Sequence, residues 1–251
     1  MTKIIAIAAV AGIAAAANGQ IIASQDFNAL DSSNTFTADA FAMGSFNNLL
    51  TNGSSSNVGG PGIDFQTFWS DTRGNSGPLD GSESGDFIGA NSFTGFAAPA
   101  VAADGTAVAD GVEQNFQFND GDGRLDLVFE TVDTSGFTQR ELSFNYWIND
   151  TSYESDDFFA VSINGSTVVN WGELELEANV SADDGTANWG TFTFDLEALG
   201  VASLVDLVII VDTNASAENI FVDNIVFSNI PAPAVASVLG LGVVAGRRRR
   251  A

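Results

Sequence analysis

Apolar and polar side chains alternate along the middle of the chain with a period of two residues. Every second residue from Leu142 to Ile148 is apolar, and the pattern returns from Phe159 to Ile163 and from Thr167 to Trp171. A period of two is typical of a strand with one buried face. The last two segments are joined by Asn164-Gly165, a pair that readily adopts the positive φ angles of a two-residue turn. We therefore expect a strand followed by a tight β-hairpin.

Further strands are predicted over much of the remaining chain, because short apolar segments alternate with clusters of Gly, Asn and Asp. The nearly continuous apolar segment Leu204–Val211 is typical of a central strand covered on both faces. About ten short strands and no long helical periodicity predict an all-β protein with a single β-sandwich, a jelly roll, over residues 18–229. The other predicted strands are Ile22–Phe27, Ile63–Trp69, Phe87–Phe96, Glu113–Phe118, Leu125–Thr131, Gly172–Ala178, Trp189–Leu196 and Ile220–Phe227.

The N-terminal segment has the pattern of a secretory signal peptide. Lys3 precedes the apolar segment Ile4–Ala17, and Ala15 and Ala17 form a small-x-small cleavage site. Such a segment is too short to span a bilayer. Residues 1–17 are therefore predicted to be a signal peptide, and a buried N-terminal helix is the alternative.

The C-terminal segment, residues 230–251, combines prolines, a short apolar stretch and a basic cluster. The apolar stretch Ala234–Gly246 would be a helix of only about 20 Å, whereas the hydrocarbon core is roughly 30 Å thick. The segment resembles the PEP-CTERM sorting signal of Gram-negative bacteria, which implies recognition by an exosortase and delivery to the cell surface. Ala232 stands where that family usually has Glu, and an ordinary short tail anchor is the alternative. The residues that carry the resemblance are Pro231, Pro233, Arg247, Arg248, Arg249 and Arg250.

Charge and composition exclude several kinds of chemistry. Five of the eight basic residues lie in the two terminal segments, so three arginines face 32 acidic residues in the predicted mature domain. An anionic surface of this kind repels nucleic acids and anionic membranes and attracts cations. The chain contains neither Cys nor His, which excludes disulfides and imidazole chemistry.

The body resembles jelly-roll modules of the carbohydrate-binding and concanavalin-like type. The resemblance is carried by Ser24–Asn28 near the start, by Leu142–Ile163, and by Glu218–Phe227 at the end of the body. It implies the architecture and indicates the ligand less well, because one fold serves many functions.

Asp223 is the most informative acidic residue, because the alternation places it on one face of the last strand with Phe221, Ile225 and Phe227. A carboxylate on an apolar face requires a partner or an ion. Related jelly rolls often hold a structural Ca²⁺ where the first and last strands meet, and the resemblance therefore nominates Asp26 together with Asp223. Oxygen ligands favour calcium over zinc. Capping of Asp223 by backbone donors is the alternative.

Two other acidic segments carry enough carboxylates for a metal site. The segment Asp120–Asp126 fails as an EF-hand loop, since Gly123 at the sixth position would put Phe118 at the first ligand position. A hairpin turn with exposed acids is predicted instead. Glu154, Asp156 and Asp157 are either ligands of a second ion or members of a solvated acidic loop.

Glu173, Glu175 and Glu177 form the one pattern that suggests catalysis. On a strand these carboxylates would share a face, about 6.5–7 Å apart, a spacing suited to paired acid and base roles. The segment also resembles the active-site signature of laminarinase-like glycoside hydrolases, which implies Glu173 as nucleophile and Glu177 as acid/base. Glu175 replaces the Asp of that signature. The alternative is an exposed edge strand whose charges prevent aggregation.

Trp147 is the best candidate for stacking on a sugar ring, because it lies on the polar side of its predicted strand. We therefore expect a secreted, surface-sorted and non-catalytic protein that binds or packs within an extracellular polysaccharide matrix, with structural Ca²⁺ as an optional cofactor. Its expected partners are a sorting exosortase and polysaccharide, and its membrane contact is limited to the terminal signals. A glycoside hydrolase and a purely structural matrix component are the alternatives.

Overall fold

The computed structural model describes eleven stretches of the chain. The signal peptide and the sorting tail predicted above lie outside them, as do Pro231, Pro233 and the four C-terminal arginines. Within the described stretches, no helix is long and apolar enough to cross a bilayer. The described residues are 19–27, 35–37, 47–50, 60–70, 72, 87–91, 115–121, 123–149, 152–181, 189–215 and 217–230.

Two antiparallel sheets contain nearly all of the described strands. The first sheet has seven strands, and the second has six. In spatial order the first sheet consists of β12 (Gly190–Asp195), β9 (Arg140–Ile148), β15 (Asn219–Asn229), β6 (Asn115–Asn119), β5 (Phe87–Asn91) and β2 (Thr35–Thr37), with β1 (Gln20–Gln25) paired to β15. The second sheet consists of β11 (Ser166–Trp171), β10 (Phe158–Ile163), β14 (Leu207–Thr213), β7 (Gly123–Phe129), β4 (Phe65–Ser70) and β3 (Asn47–Leu50).

The remaining elements are a two-stranded ribbon of β8 (Val132–Asp133) with β13 (Leu204–Val205), and one short helix, α1 (Glu173–Ala178). The chain passes repeatedly from one sheet to the other, as it does from β6 to β7 and from β9 to β10. Two packed antiparallel sheets of this kind form a β-sandwich. The prediction of an all-β sandwich is therefore confirmed.

Aromatic rings fill much of the space between the sheets. Phe27, Phe65 and Phe116 form one group, with ring centroids 5.3–5.6 Å apart. Phe192 lies 5.2 Å from Phe144 in a second group. Burial of one such side chain contributes about 2 kcal/mol of hydrophobic free energy, so these rings account for a large part of the cohesion between the sheets.

The predicted hairpin is present between β10 and β11. Asn164 and Gly165 have φ angles of 49° and 75°, as expected for two positive-φ residues in a tight turn. The side chain of Asn164 also accepts a hydrogen bond from Asp206 N (2.7 Å) and donates one to Leu204 O (3.0 Å). These bonds fix the turn against the segment that leads into β14.

The predicted alternation of side chains between the two faces of the last strand is wrong, because β15 contains a bulge. Asp223 pairs with Asn145 and Val226 pairs with Ser143, so β15 has one extra residue at this point. Asn224 has a φ angle of 50°. The extra residue reverses the alternation, so Ile225 joins the core cluster and Asp223 lies on the opposite face.

The segment predicted as the strand Gly172–Ala178 is instead helical. Glu, Leu and Ala all have high helix propensity, and the Glu175 side chain accepts a hydrogen bond from Gly172 N at 3.2 Å, which caps the first turn. Leu176 is fully buried, whereas Leu174 is 74% exposed. The buried side chain of Leu176 packs this short helix against the sandwich.

Two further predictions are corrected by the sheet order. Strands β6 and β7 belong to different sheets, so the residues between them form a crossover and not a hairpin turn. Asp120, predicted to be an exposed turn residue, is only 1% exposed. Strand β14 is central as expected, but Val208 and Ile210 are half-buried on its outer face, so it is not covered on both sides.

Candidate metal site and binding face

Three carboxylates converge at one end of the sandwich, near the end of β9 and the start of β10 and β15. Glu154 and Asp157 come from the segment before β10, and Glu218 directly precedes β15. One carboxylate oxygen from each lies within 4.8 Å of the others. Asp157 and Glu218 are buried, and Glu154 is exposed. We call this cluster the acidic end.

Backbone hydrogen bonds fix the geometry of the acidic end. Asp157 Oδ2 accepts a hydrogen bond from Glu154 N at 2.6 Å. Glu218 Oε2 accepts two, from Asn214 N at 2.9 Å and from Ala215 N at 3.0 Å. The second oxygen of Glu218, Oε1, is buried and receives no hydrogen bond. These hydrogen bonds hold Asp157 and Glu218 in place, and they leave Glu218 Oε1 without a donor.

The pKa of Glu218 is strongly perturbed by this environment. Burial, the charge of Asp157 and the nearby Glu154 carboxyl together raise it to about 8 against the lowering effect of the backbone donors. The direction is the one expected when carboxylates are desolvated together without a positive group. The two arginines in the described part of the chain lie elsewhere, paired with Asp126 and Glu197.

Polar side chains pack around the acidic end and hold its strands in register. Tyr153 Oη donates a hydrogen bond to Asn149 O at 2.8 Å, and Asn149 N donates one to Asn219 O at 2.8 Å. Gln117 Nε2 donates to Asn219 Oδ1 at 2.7 Å. The acidic end is therefore a built part of the fold, although Asp156 of the same segment is exposed and takes no part in the cluster.

The calcium pair predicted from resemblance, Asp26 and Asp223, lies at a different place. Gln25 pairs with Ile225, so the two aspartates lie close together where β1 meets the bulge of β15. Both are buried, at 0% and 4% exposure. Asn224 N donates a hydrogen bond to Asp223 Oδ1 at 2.7 Å, as the capping alternative requires. Carboxylate oxygens on adjacent strands fit a hard cation such as calcium, and an ion at this pair stays a prediction.

Trp147 does not lie where a sugar ring could stack on it. Its side chain is only 2% exposed and packs edge-on against Phe221, with ring centroids 5.5 Å apart. Phe221 and Trp147 pair across β15 and β9 outside the main core cluster. The polar residues on either side of Trp147 in the alternating pattern predict an exposed face, but in the structure Phe221 packs against Trp147 on that face. The prediction of Trp147 as a ligand-stacking residue is wrong.

The helix places Glu175 apart from the other two glutamates of the predicted hydrolase motif. On α1, Glu173 and Glu177 are one turn apart on one side, and Glu175 points elsewhere and caps the N-terminus. Glu175 and Glu177 are exposed, and Glu173 is half-buried. The shared strand face from which paired catalytic carboxylates were inferred is not formed.

The opposite end of β9 is closed by an arginine. Arg140 Nε donates to Glu197 Oε1 at 2.5 Å, and its Nη atoms donate to Thr134 Oγ1, Ala202 O and Val201 O at 2.9–3.0 Å. Burial would raise the pKa of Glu197, but the hydrogen bonds and charge of Arg140 lower it overall. We call this network the arginine end. It borders a shallow cavity of about 260 Å³.

The outer face of the second sheet presents apolar and polar side chains side by side. Its central row joins Phe68, Asp126, Ile210 and Ala160 across four strands, and Phe68 is 38% exposed. The adjacent rows add half-buried aliphatic and aromatic groups beside an ion pair between Arg124 and Asp126 (2.6 Å). They are Gln66, Val128, Val208 and Ser162 on one side, and Ser70, Arg124, Asp212 and Phe158 on the other.

Sequence reasoning missed Glu218 and the outer face. In the sequence, Glu218 stands out only as the first residue of the segment Glu218–Phe227. It lies more than sixty residues from Glu154 and Asp157. A glutamate directly before a strongly apolar strand was a weak signal of burial. The outer face was missed because Val208 and Ile210 belong to an apolar segment that reads as buried on both sides.

Comparisons with known proteins leave the family open. No family model matches the chain, and no curated protein matches it. Among solved structures, a cleaved adhesin domain of Lys-gingipain from Porphyromonas gingivalis is 12% identical, with 73% of this chain and 98% of that chain covered and a TM-score of 0.39.

A structure of carbohydrate-binding modules from the β-sandwich superfamily is 17% identical, with 67% and 75% covered and a TM-score of 0.32. A cyclase from Fischerella sp. is 14% identical, with 66% and 85% covered and a TM-score of 0.35. At these identities and scores the similarities carry no argument about function. The strand pairings of this chain establish its sandwich fold by themselves.

Proposed function

We propose that the protein is a secreted, non-catalytic binding module that uses the outer face of its second sheet to hold polysaccharide at the cell surface. The observation that carries this proposal is the exposed aromatic ring of Phe68 among aliphatic and hydrogen-bonding side chains. Sugars present both C–H faces and hydroxyl groups, so their recognition combines an aromatic platform with polar groups around it.

The negative charge of the predicted mature domain favours neutral over anionic polysaccharides as ligands. The predicted mature domain has three basic residues against 32 acidic ones, so an anionic polymer would be repelled. A cavity of about 380 Å³ borders the outer face and is lined by Asp64, Gln66, Glu130 and other residues, which adds acceptors for hydroxyl groups. Neutral chains such as glucans, mannans and xylans are the substrate class that fits.

The test is binding of the purified protein to insoluble neutral polysaccharides, measured by co-sedimentation, with an anionic polysaccharide as comparison. Phe68→Ala is expected to weaken binding about tenfold, which corresponds to about 1.4 kcal/mol for one stacked ring. Leu204→Ala is the matched control, because Leu204 is 54% exposed and lies off the outer face. Retention of full affinity by Phe68→Ala, or no binding to any neutral polysaccharide, would overturn the proposal.

The hydrolase alternative loses its geometric basis, because the motif Glu173-Leu-Glu-Leu-Glu177 is helical. Absence of catalysis is nevertheless part of the proposal and is tested separately. Reducing-sugar release from β-glucans that disappears in Glu173→Gln would restore the hydrolase.

Surface sorting rests on the terminal signals and not on the sandwich. We infer that an exosortase recognises the tail, which contains Pro231 and Pro233, and processes it. Intact-mass measurement of the protein from the cell surface tests this, with loss of the C-terminal arginines as the expected result. A surface protein that keeps Arg247–Arg250 would contradict it.

A further inference from the structure

The acidic end brings three acidic side chains from two separate segments of the chain together. Glu154, Asp157 and Glu218 present three carboxyl groups within 4.8 Å of one another. Neither Arg124 nor Arg140, the described basic residues, is among the groups that act on Glu218. Like charges at this separation in a partly desolvated site destabilise one another unless a cation lies between them.

The spacing of the three oxygens fits a hard divalent ion. Calcium binds oxygen ligands at about 2.3–2.6 Å, so two of its ligands are at most roughly 5 Å apart. The observed limit of 4.8 Å lies within that range. The donors are all oxygen, which favours calcium over zinc or copper. Two of the ligands come from the segment before β10, and the third directly precedes β15. An ion bound to all three would therefore connect two segments that are distant in the sequence.

A separate observation points to a ligand at this place. Glu218 is completely buried, and its Oε1 atom receives no hydrogen bond, whereas Oε2 accepts two from backbone amides. A buried carboxylate oxygen without a donor costs free energy that most native structures avoid. One oxygen of this same side chain lies within 4.8 Å of an oxygen of Glu154 and an oxygen of Asp157, so the Glu218 carboxylate faces the other two.

We propose that Glu154, Asp157 and Glu218 bind one calcium ion, which joins the segment before β10 to the turn before β15. This site is distinct from the pair Asp26 and Asp223, of which Asp26 directly follows β1 and Asp223 lies at the bulge of β15. It is independent of the polysaccharide proposal, because none of its three residues lies on the outer face.

The test uses the purified full-length chain after removal of metal by a chelator. Calcium chloride is then added, and binding is measured by isothermal titration calorimetry and by thermal unfolding. At calcium concentrations about 100-fold above the dissociation constant, we expect the melting temperature to rise by about 5–10 °C. Magnesium is expected to give a smaller rise, because it prefers a stricter octahedral shell.

Three variants locate the ion. Glu218→Gln keeps the shape of the side chain and is expected to weaken calcium binding at least tenfold. Glu154→Gln is expected to weaken it as well, and since Glu154 is exposed this variant is expected to fold normally. Asp156→Asn is the matched control, because it removes one charge from the same segment outside the cluster and should keep full binding.

Two results would overturn the proposal. The first is a wild-type protein that neither binds calcium in the calorimeter nor gains thermal stability from it. The second is a calcium response that survives in both Glu218→Gln and Glu154→Gln but disappears in Asp223→Asn, which would assign the ion to the other pair.

Discussion

The two ends of strand β9 treat charge in opposite ways. At the arginine end, Arg140 neutralises Glu197 and donates further hydrogen bonds to a hydroxyl and two carbonyl groups. At the acidic end, about 27 Å away along the strand, Glu154, Asp157 and Glu218 bring three carboxylate oxygens within 4.8 Å of one another, and neither Arg124 nor Arg140 is among the groups that act on Glu218. One end carries its own counter-charge, and at the other we propose that calcium from solution supplies it.

The difference matters because a buried charge is tolerated only when it is compensated. An arginine supplies compensation that is permanent and independent of the medium. A bound ion supplies compensation that varies with its concentration, so the stability of that end follows calcium in the surroundings. The comparison predicts that the two ends respond differently to mutation, chelation and pH.

The largest effect is expected when the arginine end is broken. Arg140→Met removes the ion pair and the hydrogen bonds to Thr134, Val201 and Ala202 while keeping much of the side-chain volume. We expect the free energy of unfolding to fall by about 3 kcal/mol, measured by urea denaturation. Calcium should not restore it.

Arg124→Met is the control for this substitution, because Arg124 is 40% exposed and pairs with Asp126 on the surface. It is expected to cost less than about 1 kcal/mol. Equal losses in the two variants would show that the arginine end has no special role.

An intermediate effect is expected from making the same substitution at both ends in the presence of a chelator. Glu218→Gln replaces a buried carboxyl group next to Asp157 with a neutral amide of the same shape and should raise the free energy of unfolding by about 1 kcal/mol. Glu197→Gln removes the partner of Arg140 and should lower it by about 0.5–1 kcal/mol. Changes of opposite sign in the free energy of unfolding of the two variants, measured by urea denaturation, would show that the two ends of β9 differ. A large loss of stability in Glu218→Gln would contradict it.

The smallest effect concerns pH at the arginine end. Because the folded protein lowers the pKa of Glu197 from 4.5, the ionised carboxylate stabilises the fold above that value, and its contribution is lost as pH falls through the lowered pKa. Wild type and Glu197→Gln should therefore differ at pH 7 and converge toward pH 3. Melting temperatures across this range test it, and a difference that grows in acid would be the wrong sign.

The sandwich could be predicted from sequence because its signals are local. Alternation over Leu142–Ile148 and the Asn164-Gly165 turn depend only on neighbouring residues, and both are present in the structure. The helical segment Glu173–Ala178 was misassigned because three alternating glutamates also satisfy a helix, where propensity and the cap at Gly172 favour the helical form.

The candidate sites could not be predicted as well, because they depend on register and on long-range contact. One extra residue near Asn224 moves Asp223 to the other face of β15, and no pattern in the sequence announces a bulge. Glu218 meets Glu154 and Asp157 only through the pairing of β9 with β15. Trp147 is covered by contacts that its polar sequence neighbours do not reveal.

Amide hydrogen exchange with and without calcium tests the central claim most directly, because it reports on each end of the same molecule. The amides of Asn214 and Ala215 donate to Glu218, and that of Glu154 donates to Asp157, whereas the amide of Arg140 donates to Glu197 at 2.7 Å. We predict that calcium slows exchange at least tenfold at the first three and leaves Arg140 unchanged. Equal protection at both ends, or none at the acidic end, would contradict the account.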